Sequence, residues 1–347
     1  MSGGLPCVAP DASVRDAIAV IDAHGKGIAL VVDADERLLA TITDGDVRRA
    51  MLAHLELDAP VRVLVEQQTV PPVTAPADAA GGDLVELMQQ CRIRHVPLVD
   101  GDGRVCRLAL LDELLEDEAP PLRAVVMAGG FGTRLAPLTD ETPKPMLPVG
   151  DRPLLQRIVE QLRDAGIRRV NVTTHYRADA IAQHFGDGSE FGVEIEYVPE
   201  EQPLGTAGAL ARVAADEPIV VMNGDILTAV DFRALHRFHE EHEAVMTVAI
   251  RPYETRVPFG LVRLDGADVA GIEEKPLVRG FANAGIYLLD AEVCRLVPPD
   301  TRLEMPQLIE RLLADGRRVV GFPLREYWLD IGRPGDYEQA WADLERL

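Results

Sequence analysis

Two rhythms of apolar residues divide the chain. In residues 1–118, apolar positions three and four apart predict helices at 14–23 and 84–91. Each helix is followed by a short apolar strand, an acidic turn and a second strand. The segment ALVVDADERLLATITDGDVRRAM, residues 29–51, is similar to HVPLVDGDGRVCRLALLDELLED, residues 95–117. Asp33 falls over Asp100, Arg37 over Arg104 and Asp46 over Glu113, a repeat of about 67 residues. From residue 122 onward the rhythm changes. Short apolar or alternating runs at 124–127, 169–173, 194–198 and 219–222 read as strands, with helical patterns at 154–165, 178–185 and 207–214 between them. Strands alternating with helices predict a doubly wound, mostly parallel α/β sheet covered on both faces, whose ligands bind beyond the carboxyl ends of the strands. The acidic run and prolines of LLEDEAPPL, residues 114–122, read as the boundary between domains 1–118 and 122–347.

Composition narrows the partners. The 347 residues carry a net charge of −22, shared equally between the two parts, which argues against an acidic tail. A chain this negative repels polyanions unless it has a basic stripe, and none is present, so nucleic acid and anionic membrane are excluded as expected partners. Any anionic substrate must meet a local basic site. Four cysteines without CxxC spacing point to a reducing compartment. The first residues lack a basic start followed by an apolar run, and no stretch approaches the length of a membrane span, so a cytoplasmic protein is expected. At 47% hydrophobic but only 5% aromatic residues, the core is aliphatic.

Candidate chemistry concentrates in AVVMAGGFGTRLAPLTDETPKPMLPVGDRPLL, residues 124–155. A strand runs into Gly129, Gly130 and Gly132, which let successive N–H groups face an oxyanion, and Arg134 adds a planar donor fork. The segment has neither the GK[ST] ending of a P-loop nor the third glycine of a dinucleotide fingerprint. The glycines alone fit a plain strand-to-loop turn equally well. Lys144, one of only three lysines, is bracketed by Pro143 and Pro145, which predicts an extended segment holding a compact charge. Asp225 follows the apolar run PIVVMN and reads either as a metal-holding carboxylate at a strand end or as a helix N-cap. Asp330 ends a second apolar stretch and reads as its partner or as a turn residue before Gly332. Glu274 beside Lys275 reads as a binding pair or a surface ion pair. His236, His239 and His242 match no HExxH frame and read as a solvated helix face. Tyr253 and Phe259 are expected to pack on strand faces.

The order of these motifs resembles a known family. GGFGTRL followed by PKPMLPV, then PLGTAGAL at 203–210, NGD at 223–225, EKP at 274–276, NAGIY at 283–287 and WLDIG at 328–332, is similar to the sugar-1-phosphate nucleotidyltransferases over residues 122–347. The N-terminal repeat resembles a pair of CBS domains.

The resemblance implies a glycosyltransferase-A-like, Rossmann-like catalytic domain that joins an NTP to a sugar 1-phosphate and releases pyrophosphate. It implies that Arg134 and Lys144 are catalytic. Ala128, Gly129, Gly130, Gly132, Thr133, Gln202 and Gly205 would meet the nucleotide, with Glu201 a second side chain near the base. Glu274, Lys275, Asn283 and Gly285 would meet the sugar phosphate, and Asp225 and Asp330 would hold Mg2+. In the CBS pair it implies an adenine nucleotide at Thr43 and Asp46, or a platform for homo-oligomers. Copy two has Leu110 and Glu113 at the equivalent positions and Arg107 where copy one has Ala40, a departure from the pattern. The resemblance leans toward guanylyl transfer to glucosamine 1-phosphate or a related hexosamine for legionaminic-type surface sugars. The alternatives are mannose-1-phosphate guanylyltransferase, glucose-1-phosphate thymidylyl- or uridylyltransferase, and a catalytically idle nucleotide sensor. No hexapeptide repeat occurs, so the acyltransferase of bifunctional relatives is not expected.

Overall fold

A computed structural model describes residues 4–114, 121–214 and 216–344. Two compact units, residues 1–118 and 119–347, divide the chain. Most of the 114–122 connection lies outside the described residues.

The first unit realises the repeat strand for strand. One sheet orders Cys7–Val8, Ile28–Val32 and Leu38–Thr43, and the other orders Ala75–Pro76, His95–Val99 and Val105–Leu110. Helices Val14–His24 and Gly81–Cys91 precede the two hairpins. The register shifts at Val31/Val32 in one copy and at Leu98/Val99 in the other, positions one repeat apart. Both turns are closed identically. Asp33 Oδ1 accepts the N–H groups of Asp35 and Arg37 at 2.9 Å, and Asp100 Oδ1 accepts those of Asp102 and Arg104 at 2.9 Å. These are Asx turns, in which a short carboxylate substitutes for a backbone acceptor. The hairpins meet at the turns, where Leu38 donates to Gly103 O (3.0 Å) and Val105 to Glu36 O (3.2 Å). Ile28 and Leu30 of one copy pack with Val105 and Leu108 of the other.

The second unit is built on a seven-stranded sheet. Its order is Glu194–Pro199, Arg169–Thr174, Arg123–Met127, Ile219–Asn223, Leu277–Leu289, Met246–Arg256 and Val319–Pro323. The first four strands are parallel; Leu277–Leu289 runs antiparallel to both its neighbours. Alternation along each strand feeds two cores. Ala124, Val126, Val220 and Met222 face one, which takes in helix Leu154–Asp164, and Val125, Ile219 and Val221 face the other, closed by helix Met305–Ala314. With both faces covered, the sheet offers polar ligands only its strand ends.

Three expectations are corrected. The helix expected at 207–214 is a single α turn, Gly205–Gly208, continued by a 3-10 turn, Ala209–Arg212. It is shortened because Ala207 and Gly208 donate to Leu303 O, at 2.9 and 3.2 Å, tying the turn to a segment distant in sequence. The histidine face of helix Phe232–Glu241 is not solvated: His236 and His239 are buried. His239 pairs through its ring nitrogens with Thr247 Oγ1 (2.8 Å) and Asp290 Oδ1 (3.3 Å), which satisfies it in the interior. Burial lowers the pKa of His236, against the pull of Glu240. Tyr253 and Phe259 do not pack on strand faces but stand 56% and 72% exposed. They lie on an arm, residues 251–282, where the strand pair Met246–Arg256 and Leu277–Leu289 runs beyond the sheet into the hairpin Leu261–Asp265/Asp268–Glu273. No helix among the described residues is long and apolar enough to cross a membrane.

Candidate active site

The carboxyl ends of Arg169–Thr174, Arg123–Met127 and Ile219–Asn223 lie side by side. From the middle strand the chain enters the glycine loop. The N–H of buried Ala128 donates to the Thr173 carbonyl (3.2 Å) and hydroxyl (3.3 Å). Ala128 therefore anchors the loop through its N–H. The next four N–H groups, those of Gly129, Gly130, Phe131 and Gly132, have no protein acceptor among the described residues. Successive unpaired N–H groups form a cradle for an anion. Gly132 is left-handed (φ 66°), and a Cβ there would lie 2.9 Å from Thr139 Cγ2 and 3.0 Å from Lys144 Cβ, so only glycine fits. Thr133 and Arg134 open the 3-10 turn Thr133–Leu135 with exposed side chains.

Lys144 begins a 3-10 turn, Lys144–Met146, instead of lying in extended backbone; only Pro143 before it is extended (ψ 143°). Pro145 tolerates the turn because its missing N–H falls where a first turn has no intrahelical partner anyway. Lys144 is 8% exposed, and its ammonium donates to Asp225 Oδ2. Asp225 Oδ1 is buried with no partner among the described residues.

Asp225 is no N-cap. Gly224 before it donates to Met127 O at 2.9 Å, and a Cβ on Gly224 would sit 2.8 Å from that oxygen. Glycine is thus what lets the acid approach the loop strand. Strand Trp328–Asp330 pairs antiparallel with Ile226–Thr228, Asp330 opposite Ile226, and Ile331 donates to Asp225 O at 3.0 Å. Two acids about a hundred residues apart are so brought together. Partial desolvation against the site walls, and then the charge of Asp225, raise the Asp330 carboxyl above its usual range, against the pull of Lys144 and Arg134. A Cβ at Gly332 would lie 3.5 Å from Arg134 Nη1 and 3.6 Å from Asp330 Oδ1, so these groups face one spot. Arg134, Lys144, Asp225 and Asp330 converge beside the unpaired N–H groups.

The remaining candidates lie outside this quartet. Glu274 and Lys275 are exposed on the arm, Lys275 in left-handed backbone (φ 48°). Asn283 is exposed, and its Oδ1 accepts the N–H of Gly285 at 2.9 Å. Gly285 is left-handed (φ 69°), with Asn223 Nδ2 2.6 Å from where its Cβ would be: its bareness serves the chain's own Asn223. Likewise a Cβ on Gly205 would meet Leu303 O at 2.6 Å. Glu201 and Gln202 are exposed. In the first unit Thr43 and Asp46 form a capping box at helix Asp44–Leu52, Thr43 N–H donating to Asp46 Oδ2 at 2.8 Å and Asp46 N–H to Thr43 Oγ1 at 3.3 Å.

Glu200 is not among the residues the sequence singles out. This buried carboxylate accepts the Leu204 N–H at 2.8 Å, and its Oε1 lies 3.2 Å from a Cβ position on Gly129. Its signal was an acid just after the strand Glu194–Pro199. No group of three or more His, Cys, Asp or Glu side chains is placed to hold a metal among the described residues.

Comparison with known proteins gives these features a family. The pattern of the nucleotidyl transferase family matches residues 123–346, and that of the CBS domain matches residues 1–53 and 65–116. A mannose-1-phosphate guanylyltransferase of Mycobacterium tuberculosis is 38% identical over 232 residues, 64% of this chain and 64% of the relative's own length. A D-glycero-alpha-D-manno-heptose 1-phosphate guanylyltransferase of Aneurinibacillus thermoaerophilus is 32% identical over 65% of this chain and 99% of that protein. HddC from Yersinia pseudotuberculosis, solved in complex with GMP-PN, is 26% identical and superposes with a TM-score of 0.50 over 64% of this chain and 98% of that one. The chain belongs to the nucleotidyl transferase family and carries a pair of CBS domains ahead of the family's domain.

Proposed function

We propose that this chain transfers a guanylyl group from GTP to a sugar 1-phosphate, giving a GDP-sugar and pyrophosphate in the cytoplasm. The observation that carries this reading is the convergence of two cations, Arg134 and Lys144, and two carboxylates, Asp225 and Asp330, beside a loop of unpaired N–H groups. A phosphate oxygen of the sugar 1-phosphate attacks the α-phosphorus in line, the bond from that phosphorus to the β-bridging oxygen breaks, and the pair leaves with pyrophosphate. Such a transfer needs positioning and charge neutralisation, with no covalent intermediate on the protein. The N–H groups of Gly129 to Gly132 and the Arg134 fork hold the triphosphate, while Lys144 exchanges its carboxylate partner for phosphate oxygen. Lys275 and Glu274, with Asn283, meet the sugar phosphate.

The donor set fits Mg2+: two carboxylates, one with a buried oxygen lacking a partner, leave further positions to substrate phosphates and water. Held by Asp225 and Asp330, the ion would neutralise triphosphate charge.

Guanine is supported by the guanylyltransferases among the relatives. For the sugar we favour a hexosamine 1-phosphate feeding surface-sugar synthesis, on the resemblance of the CBS-fused chain. Mannose 1-phosphate is the second reading, favoured by the mycobacterial relative. An adenine nucleotide on the CBS pair would regulate the rate only by binding two conformations unequally.

The test is pyrophosphate release with Mg2+ across GTP, UTP, CTP, dTTP and ATP against glucosamine, N-acetylglucosamine, mannose, heptose and glucose 1-phosphates, with and without AMP or ATP. A productive GTP pair is expected. Silence across the grid from folded protein that still binds nucleotide would favour the idle sensor.

A further inference from the structure

The turn Gly205–Gly208 and the helix Met305–Ala314 exchange hydrogen bonds at their starts. Thr206 donates twice to Glu304 Oε2, from its N–H at 3.1 Å and from its hydroxyl at 3.2 Å, and Thr206 Oγ1 in turn accepts the N–H of Met305 at 2.7 Å. Both N–H groups lie in first turns, where a helix has no internal acceptor for them. Each element thus caps the other, across 98 residues of sequence. The backbone reinforces the tie, with Leu303 N–H donating to Leu204 O at 2.9 Å. A Cβ on Gly205 would lie 3.0 Å from Glu304 Oε1, so the carboxylate rests against the turn itself.

The other side of the turn reaches the glycine loop. Leu204 N–H donates to Glu200 Oε2 at 2.8 Å, and Glu200 Oε1 lies 3.2 Å from a Cβ position on Gly129. Thr206, Leu204 and Glu200 are therefore links in one chain of contacts from Glu304 to the loop. Glu304 is half-buried. Burial pushes its carboxyl up, but the Thr206 N–H, Arg302 and the Thr206 hydroxyl together hold it below its usual range, so it is ionised. Arg302 meets Oε1 at 3.0 Å but is itself 73% exposed, and an exposed pair of this kind adds little. The Thr206 bonds matter more, because removing the carboxylate leaves their donors without an acceptor.

We propose that Glu304 is a positioning residue for nucleotide binding: by holding Thr206 it fixes the turn Gly205–Gly208, and through Leu204 the Glu200 carboxylate, beside the unpaired N–H groups of the glycine loop. The role rests on the proposed reaction, in which that loop holds the triphosphate. Glu304 itself touches no substrate and acts only through Thr206.

The full-length chain and its variants are titrated calorimetrically with GTP and Mg2+, well below their melting temperatures, and the unaltered chain also with UTP, CTP, dTTP and ATP. Glu304→Ala is expected to weaken GTP binding by roughly 10-fold or more, the scale of a lost hydrogen bond to a charged group. Glu304→Gln, whose amide oxygen still accepts from Thr206, is expected to restore most of the affinity. Thr206→Val is expected to weaken binding in the same direction and Thr206→Ser to recover it, and this second pair decides the matter if Glu304→Ala fails to fold. GTP affinity unchanged in either folded variant, Glu304→Ala or Thr206→Val, would overturn the proposal and leave the proposed reaction standing, even if the melting temperature falls, since the tie would then be structural alone. A loss in Glu304→Gln equal to that in Glu304→Ala would overturn it too, because the charge and not the hold on Thr206 would be what counts. Binding of a nucleotide other than GTP by the unaltered chain would correct the proposed reaction instead, and the same variants titrated with that nucleotide would decide the role of Glu304. Binding of no nucleotide would overturn both.

Discussion

Lys144 and Asp225 form an ion pair at the junction of the glycine loop and the strand Ile219–Asn223, with the lysine nearly enclosed and the second carboxylate oxygen left without a partner among the described residues. In the proposed reaction the two would part, the lysine toward phosphate and the acid toward metal. Asp225→Asn keeps the volume and removes the charge. It is expected to lower Mg2+-dependent turnover by about 100-fold or more, the scale of one lost charge-stabilising group, with a small change in melting temperature. Lys144→Met leaves the carboxylate without its remaining partner and is expected to cost about 1–3 kcal/mol of stability as well as turnover. Steady-state rates and thermal unfolding on the two variants check this; near-normal turnover in Asp225→Asn would remove that acid from the chemistry.

Two glycines near the loop separate architecture from binding. A Cβ at Gly224 would meet Met127 O at 2.8 Å, a backbone atom that cannot swing aside, whereas a Cβ at Gly130 meets nothing within 4 Å. Gly224→Ala is expected to destabilise by about 1–3 kcal/mol and to lower turnover by displacing Asp225. Gly130→Ala is expected to leave the melting temperature unchanged and to raise KM for the nucleotide through crowding of the cradle. An unchanged melting temperature in Gly224→Ala would show that the strand ends yield to a methyl group at no cost.

The glycine loop, the strand-end acids and the repeat were legible because each is encoded locally: a turn needs its glycines, and a buried strand needs its aliphatic run. What escaped depends on partners far away in sequence. The turn at Gly205–Gly208 is cut short by Leu303, and His239 is satisfied inside the fold by Thr247 and Asp290, which its own helix cannot reveal. The arm misled differently. Tyr253 and Phe259, expected to pack on strand faces, lie where the strand pair runs beyond the sheet and stand 56% and 72% exposed. The tie from the Ala128 N–H to Thr173 is likewise invisible in sequence, because it depends on the register of the neighbouring strand.

Thiol chemistry offers a check on burial. Burial pushes the Cys294 thiol up to about 12, only slightly offset by Arg295, and burial likewise raises half-buried Cys7. Cys91 and Cys106 are exposed. Because the thiolate is the reactive form, alkylation of native protein at mildly basic pH is expected to label Cys91 and Cys106 quickly, Cys7 slowly and Cys294 only after unfolding. Mass spectrometry of peptides over time reads this directly, and rapid native labelling of Cys294 would contradict the packing of helix Ala291–Arg295.

Thr43 and Asp46 carry a structural duty that needs no ligand. Thr43 Oγ1 donates to Asp46 Oδ2 at 2.6 Å, and Arg49 binds the other oxygen at 2.6 Å, so the carboxylate is engaged on both sides within its own helix. Thr43→Ala is therefore expected to cost about 1 kcal/mol in the absence of any nucleotide, while Thr43→Ser, which restores the cap, recovers most of it. If an adenine nucleotide also uses this pair, it must compete with the capping bonds, and its stabilisation of the first unit should be lost in Thr43→Ala and regained in Thr43→Ser. Equal stabilisation of both variants by AMP or ATP would confine Thr43 to the cap. A Thr43→Ala melting curve superimposable on the unaltered protein's would instead deny the cap itself.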